Sequence, residues 1–418
     1  ADLKAADWML EAAAAEGVAP AAIVDAPAPA RVGAGRSVVE ATFPVQELET
    51  WSPAHPRLYW ISVEALDADG RTVRDASVPV TFGYREMWVD GADLLLNGMR
   101  VNVFGTSHNY YGSYIWTPVD LAMKHRLGLV MDRTMSTWWR AFEFADTAAV
   151  LADRWGHLFS TDPREEPISE LLDGYFYNHP AFVMWQLGGN GYVNGPHSHP
   201  MQIGEVVPPP PPGSSERGAY EKALAPYRAV RKLDPSRPAF FYRLGVGGNV
   251  RSLMGYLDVN EPVMDIMDWP LGWYRNARAG RVEPFLGAEI SFTLSLLGMH
   301  YWKAPCPNMA GRGGHVEHAA RLFGDEAYAM VTPVELVPKA FESGMRLHRG
   351  LLKNQETELI ARLYTYMYER VLPAWRACGI GVLWHIDGKP TEHFQSWFVR
   401  GPDNPIQGVL TPRGKVWQ

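Results

Sequence analysis

Cysteine is almost absent from this chain: two residues, Cys306 and Cys378, in 418. That supply fits neither a disulfide framework nor a cysteine-based zinc site, and leaves one bridge or two buried thiols as open alternatives. Basic charge is also lacking. Thirty-nine Lys and Arg against 46 Asp and Glu leave a net charge of -7, which offers no electrostatic footprint for nucleic acid. No apolar run approaches the roughly 18 residues a membrane span needs, so a membrane is not an expected partner either. Phosphate-cradling and nucleophile-elbow motifs are missing, and Gly245-Val-Gly-Gly reads as a loop rather than a dinucleotide fingerprint. His197 and His199 are an isolated pair in a Pro-rich loop, too little for a metal centre. No cofactor or metal is therefore expected. Ala1 opens the chain without a leader, which decides little about compartment; a secreted or periplasmic location is slightly favoured over a cytoplasmic one. Homo-oligomerisation stays open.

What is present is core material. Hydrophobic residues are 47% and charged residues 20% of the chain, an ordinary globular balance, and the length accommodates two or three domains. Sixteen Trp, 18 Tyr and 16 Phe suit either large core side chains, the commoner use, or stacking platforms for sugar rings.

The pattern changes twice along the chain. Residues 1–34 combine an Ala-rich helical stretch with a stiff Pro/Ala linker. From 35 to 88 the period is two, in Ser37–Val45, Leu58–Leu66 and Ser77–Phe82, with Asp67-Ala-Asp-Gly70 as a hairpin turn. This predicts a small immunoglobulin-like β-sandwich. From 89 to 418 strands and helices alternate. Strands are expected at Val101–Gly105, Leu129–Thr134, His157–Ser160, Ala181–Leu187, Ala239–Tyr242, Met264–Asp268, Pro284–Glu289 and Ile380–Trp384. Helices are expected at Leu121–Leu127, Ala141–Trp155 and Tyr220–Lys232, with a long one from Glu356 that kinks or ends near Pro373. The fold class is α/β: a (β/α)8 TIM barrel preceded by the sandwich.

Three ordered motifs add a resemblance. Trp51-Ser-Pro-Ala-His-Pro-Arg-Leu-Tyr59, Phe82-Gly-Tyr-Arg85 and Leu96-Asn-Gly98 resemble the junction between the immunoglobulin-like domain and the barrel of the family 2 glycoside hydrolases. Asn178-His-Pro-Ala-Phe-Val-Met-Trp-Gln-Leu-Gly-Gly-Asn-Gly191 resembles that family's fourth barrel strand, "His-Pro-Ser…Trp-Ser-Leu-Gly-Asn-Glu". The resemblance covers roughly residues 45–390. It implies a glycosidase, galactosidase-like in the simplest reading, acting on a poly- or oligosaccharide with retention.

Retaining glycosidases use two carboxyl groups about 5 Å apart, one a nucleophile and one an acid/base. Pro284-Phe-Leu-Gly-Ala-Glu289 resembles the family's seventh strand and marks Glu289 as the nucleophile; a carboxylate ending an apolar strand faces the barrel mouth in any case. The resemblance also makes Asn190 the residue that holds the sugar 2-hydroxyl. The acid/base position carries Gly191, which has no proton to give. An inactivating substitution, an unusual active site, or replacement by Glu205, Glu165 or Glu166 are the competing explanations, and the doubled Gly188-Gly189 permits a one-residue shift of the turn. His108 follows strand one, Arg133 ends strand two and could hold Glu289 ionised, and Trp138, Trp269 and Trp384 are candidate sugar-stacking residues. A non-catalytic carbohydrate-binding pseudoenzyme is the alternative function.

Overall fold

The computed structural model describes residues 30–36, 38–39, 48–107, 118–126, 128–133, 142–161, 176–187, 210–241, 248–256, 271–272, 274–275, 283–291, 322–330, 369–370 and 372–384. Its organising feature is a set of eight parallel strands. In chain order they are β8 (Phe104–Ser107), β9 (Met131–Arg133), β10 (Leu158–Thr161), β11 (Phe182–Leu187), β12 (Ala239–Phe241), β13 (Arg251–Tyr256), β14 (Phe285–Ser291) and β15 (Gly381–Trp384). Each pairs with its neighbour in sequence, and β15 pairs with β8. The remaining gap, between β12 and β13, is crossed by a parallel bridge between Phe240 and Val250 and by hydrogen bonds from Asn249 and Val250 to the Ala239 carbonyl. Seven of the eight expected strands overlap these. The sixth does not: Arg251–Tyr256 takes that place, and Met264–Asp268 lies outside the described residues.

The helices include α1 (Pro118–Arg126), α2 (Phe142–Trp155), α3 (Ser215–Leu233), α4 (Glu326–Met330) and α5 (Leu372–Ala377). Ser214 caps α3, accepting from the Arg217 amide. Pro373 is the second residue of α5, and residues 369–370 just before that helix are also helical, in a wider π turn. The expected helix from Glu356 lies outside the described residues as far as 368.

Ahead of the parallel strands the chain is antiparallel. β1 (Tyr59–Ile61) pairs with β4 (Val80–Phe82), and between them β2 (Glu64–Leu66) pairs with β3 (Val73–Ala76). Gly70, at φ +69, donates to the Asp67 carbonyl in the β2–β3 turn. None of these strand residues is fully buried; the packing is a cluster of Tyr59, Phe82 and Tyr84 with ring centroids 5.4–5.9 Å apart. A meander follows: β5 (Met87–Asp90), β6 (Asp93–Leu96) and β7 (Met99–Arg100). Asn97 and Gly98, both at positive φ, make its second turn. Met87, Leu94 and Leu96 join Trp51 and the parallel strands in one core cluster, and β5 spans the expected 88/89 domain boundary.

The motifs that suggested a domain junction converge on the base of β11. Trp51 is fully buried and its indole donates to the Asp153 carbonyl, 2.8 Å away on α2. Gly156, at φ +67 just past α2, lies so close to the Pro53 backbone that a Cβ there would clash with it. Asn97 donates to the Trp51 carbonyl and accepts from the Glu86 amide. Arg85 donates to the Pro180 and Phe182 carbonyls at 3.1 and 2.5 Å, and a Cβ on Gly83 would meet Pro180 at 2.7 Å. His179 completes the joint by pairing with Asp153 at 2.5 Å, while Asp153 also accepts from the Ala181 amide. Burial pushes the Asp153 carboxyl upward against the opposing pull of His179.

Candidate functional site

Parallel strands with crossover helices leave their C-terminal ends free for chemistry, because loops rather than packed helices follow them. Three expected site residues lie at those ends. Glu289 is near the end of β14, Trp384 ends β15 and Arg133 ends β9. The register brings their strands together: Ile290 pairs with Trp384, Trp384 with Thr106, and Thr106 with Asp132. Glu289 is one residue before this row and Arg133 one residue after it. His108, Trp138, Asn190, Gly191 and Trp269 lie outside the described residues, as do Glu165, Glu166, Glu205 and Cys306. Cys378 is a buried free thiol.

β14 is irregular at the position that matters. Toward β13, Gly287 pairs with Leu253 and Glu289 with Met254, so Ala288 is an extra residue. Toward β15, Gly287 pairs with Val382 and Ile290 with Trp384, again one residue more on β14. A bulge of this kind bends a strand and interrupts its ladder, and bulges concentrate beside active sites. Here it immediately precedes Glu289.

Arg133 is fully buried. Its neighbour Asp132 is held on the helix side of β9 by Lys124 of α1 at 2.5 Å and by His157 at 3.3 Å. Strand alternation then turns Arg133 to the opposite, interior face. His125 stacks on His157 at 5.4 Å, with its Nε2 3.2 Å from His157 Nδ1. Burial first, then His157, holds the His125 imidazole below its ordinary range. The native state therefore keeps His125 neutral while the unfolded chain takes up a proton near pH 6.5. Unfolding free energy is expected to fall as pH drops below 6.5, since the unfolded state binds more protons there. Urea midpoints at pH 7.5 and 5.5 check this, and His125→Gln should lose part of the fall.

Buried polar groups are treated differently at the two ends of the sheet. At the N-terminal end Asp234 accepts from Trp185 Nε1 (2.8 Å), Arg237 Nη1 (2.9 Å), and the Ser236 hydroxyl and amide. At the C-terminal end, Thr161 of β10 and Gln186 of β11 are fully buried. Thr161 Oγ1 and both amide atoms of Gln186 have no hydrogen-bond partner among the described residues. Gln186 was not an expected site residue. The available signal was its departure from the family strand, which carries Ser at that position.

Among the described residues no helix is long and apolar enough to cross a membrane, and no group of three metal-ligating side chains is present. No family model matches the chain. Several solved structures do resemble it. The β-glucuronidase 2 of Bacteroides uniformis, covalently bound to cyclophellitol-6-carboxylate aziridine, is 13% identical at a TM-score of 0.52, covering 90% of this chain and 41% of that one. The β-glucuronidase of Bifidobacterium dentium, complexed with coumarin-3-O-glucuronide, is 16% identical at 0.50, covering 90% and 54%. A family 2 β-galacturonidase from Eisenbergiella tayi is 20% identical at 0.42, covering 68% and 52%. The chain spans about half the length of these proteins. On this likeness, with eight parallel strands behind an antiparallel lead-in, the chain has a fold like that of the family 2 glycoside hydrolases.

Proposed function

We propose that this chain is a retaining β-glycoside hydrolase, or the catalytic part of one, built as a closed (β/α)8 barrel over residues 89–418. An immunoglobulin-like module over 35–88 and a lead-in over 1–34 precede it. The observation that carries the reading is the bulge at Ala288, which sets Glu289 apart near the end of the seventh parallel strand. In the proposed reaction a Glu289 carboxylate oxygen bonds to the anomeric carbon as the bond from that carbon to the leaving oxygen breaks. The leaving group departs with the electron pair, Asn190 holds the 2-hydroxyl, and water then attacks the same carbon and frees Glu289. Arg133 favours the ionised form of Glu289, and Trp138, Trp269 and Trp384 offer faces to the sugar.

Gly191 has no proton to supply, so substrates whose leaving groups depart unprotonated are the ones that should react. Sugar choice is galactoside-like in this reading, and uronides belong in the test because the similar Bacteroides and Bifidobacterium enzymes are β-glucuronidases. Intact mass is measured after incubation with dinitrophenyl 2-fluoro-β-galactoside and the matching glucuronide. The expected result is a single sugar adduct that Glu289→Gln abolishes. Binding of these sugars with no adduct would replace the hydrolase by a carbohydrate-binding pseudoenzyme, the reading that Gly191 by itself favours.

A further inference from the structure

Buried amides are nearly always hydrogen-bonded, and each exception needs a cause. Gln186 is such an exception: it is fully buried, and its amide nitrogen and oxygen have no partner among the described residues. Two counts along the strands put it on the interior face. Trp185 lies on the helix side of β11, because its indole reaches Asp234 just past α3, so its successor is turned inward. Arg133, which faces the interior, is the register partner of Ser160, and Ser160 is that of Met184. Gln186 is two residues beyond Met184, on the same face. Thr161 pairs with Trp185 and so shares the helix side. The interior at the C-terminal ends of β9, β10 and β11 thus carries a buried guanidinium, a hydroxyl and an amide. Gln186 stands one residue from the end of its strand.

We propose that the Gln186 amide binds two adjacent hydroxyl groups of a sugar seated over these strand ends. This rests on the reading above that the C-terminal end of the sheet receives a sugar. A primary amide carries a donor and an acceptor side by side, and both are idle. One hydroxyl of a vicinal pair accepts from the amide N–H while its neighbour donates to the amide oxygen, so the pair satisfies both ends at once. Galactosides and uronides alike carry vicinal hydroxyls, and the amide N–H serves a charged or an uncharged acceptor equally, so the sugar's charge is not what Gln186 reads. What it reads is the presence of two neighbouring hydroxyls. Because the amide is idle in the free chain, replacing it by an apolar side chain of similar size removes no internal hydrogen bond.

The test uses the full chain with Gln186→Met and Gln186→Leu. Affinity is measured calorimetrically for isopropyl β-thiogalactoside and phenyl β-thioglucuronide, then for every monodeoxy analogue of whichever binds the parent more tightly. In the parent, two analogues deoxygenated at neighbouring carbons are expected to bind about tenfold more weakly than the complete sugar. In both variants the same two analogues should bind within about twofold of it. A residue that acted only through packing would leave each analogue's loss the same in parent and variants. That outcome overturns the proposal, and so does a coupled position without a coupled neighbour. Melting temperature without sugar should hold or rise in at least one variant; a fall in both would show that the amide has an internal partner, and would also overturn it. A parent chain that binds neither sugar would instead overturn the sugar-binding reading itself, and this proposal with it.

Discussion

Replacing Asp234 by alanine is expected to lower the unfolding free energy by about 3–5 kcal/mol, the range for removing one partner of a buried ion pair. Asp234 is 2% exposed and Arg237 4%. The carboxylate is the shared acceptor of Trp185 Nε1 and Arg237 Nη1, and it also closes the turn through Ser236. Burial works to raise its pKa, but Arg237, Ser236 and Trp185 together outweigh that and hold it below the usual carboxylate range. Removing it strands a guanidinium that also spans the Phe182 and Tyr177 carbonyls and lies 4.6 Å over the Phe182 ring. Denaturant midpoints measure the loss, and a Ser236→Ala control should cost far less because it removes only a partly exposed hydroxyl. The sign in acid follows from the lowered pKa. The stabilisation is present above pH 3.8 and is lost as pH falls through the lower native value. Equal effects for Asp234→Ala and Ser236→Ala would remove the pair from its central place in the base of the sheet.

Gly191→Glu is expected to raise turnover of glycosides with poor leaving groups by about 10²–10⁴-fold, the usual contribution of a positioned general acid. Dinitrophenyl glycosides should gain little, because their leaving oxygen departs without a proton. The difference between the two substrate classes is the diagnostic quantity, since a change that merely tightened the loop would raise both. Steady-state rates on alkyl and dinitrophenyl glycosides measure it. Asn190→Glu, run alongside, tests the one-residue shift that Gly188-Gly189 allows. Gain at 190 and none at 191 would move the acid position by one residue; gain at neither would end the assignment of this turn to acid catalysis.

Much of the architecture is written locally. Gly128 and Gly156, both at positive φ, stop α1 and α2 where the apolar periodicity ends. The nearly continuous apolar run Phe182–Leu187, broken only by Gln186, is a strand buried along its whole length, as an interior parallel strand requires. The order of seven of the eight strands followed from such runs, because burial on both faces leaves no room for polar alternation. The absence of a carboxyl at position 191 is likewise a property of the sequence alone. Tertiary structure decided the rest. Arg251-Ser-Leu-Met-Gly-Tyr256 carries no apolar run, and becomes a strand because β14 offers it a ladder, with Arg251 opposite Phe285. The bulge at Ala288 exists only in the mismatch of two registers, with β13 and with β15. Trp51 finds its acceptor 102 residues away, and Trp185 finds Asp234 49 residues away. Periodicity reports which face of one element is buried; it holds no information about register or about partners across the chain. Those are set by the packing of distant segments, and so Gln186, inconspicuous in the sequence, emerges only when its neighbours are in place and its amide is left without a partner among the described residues.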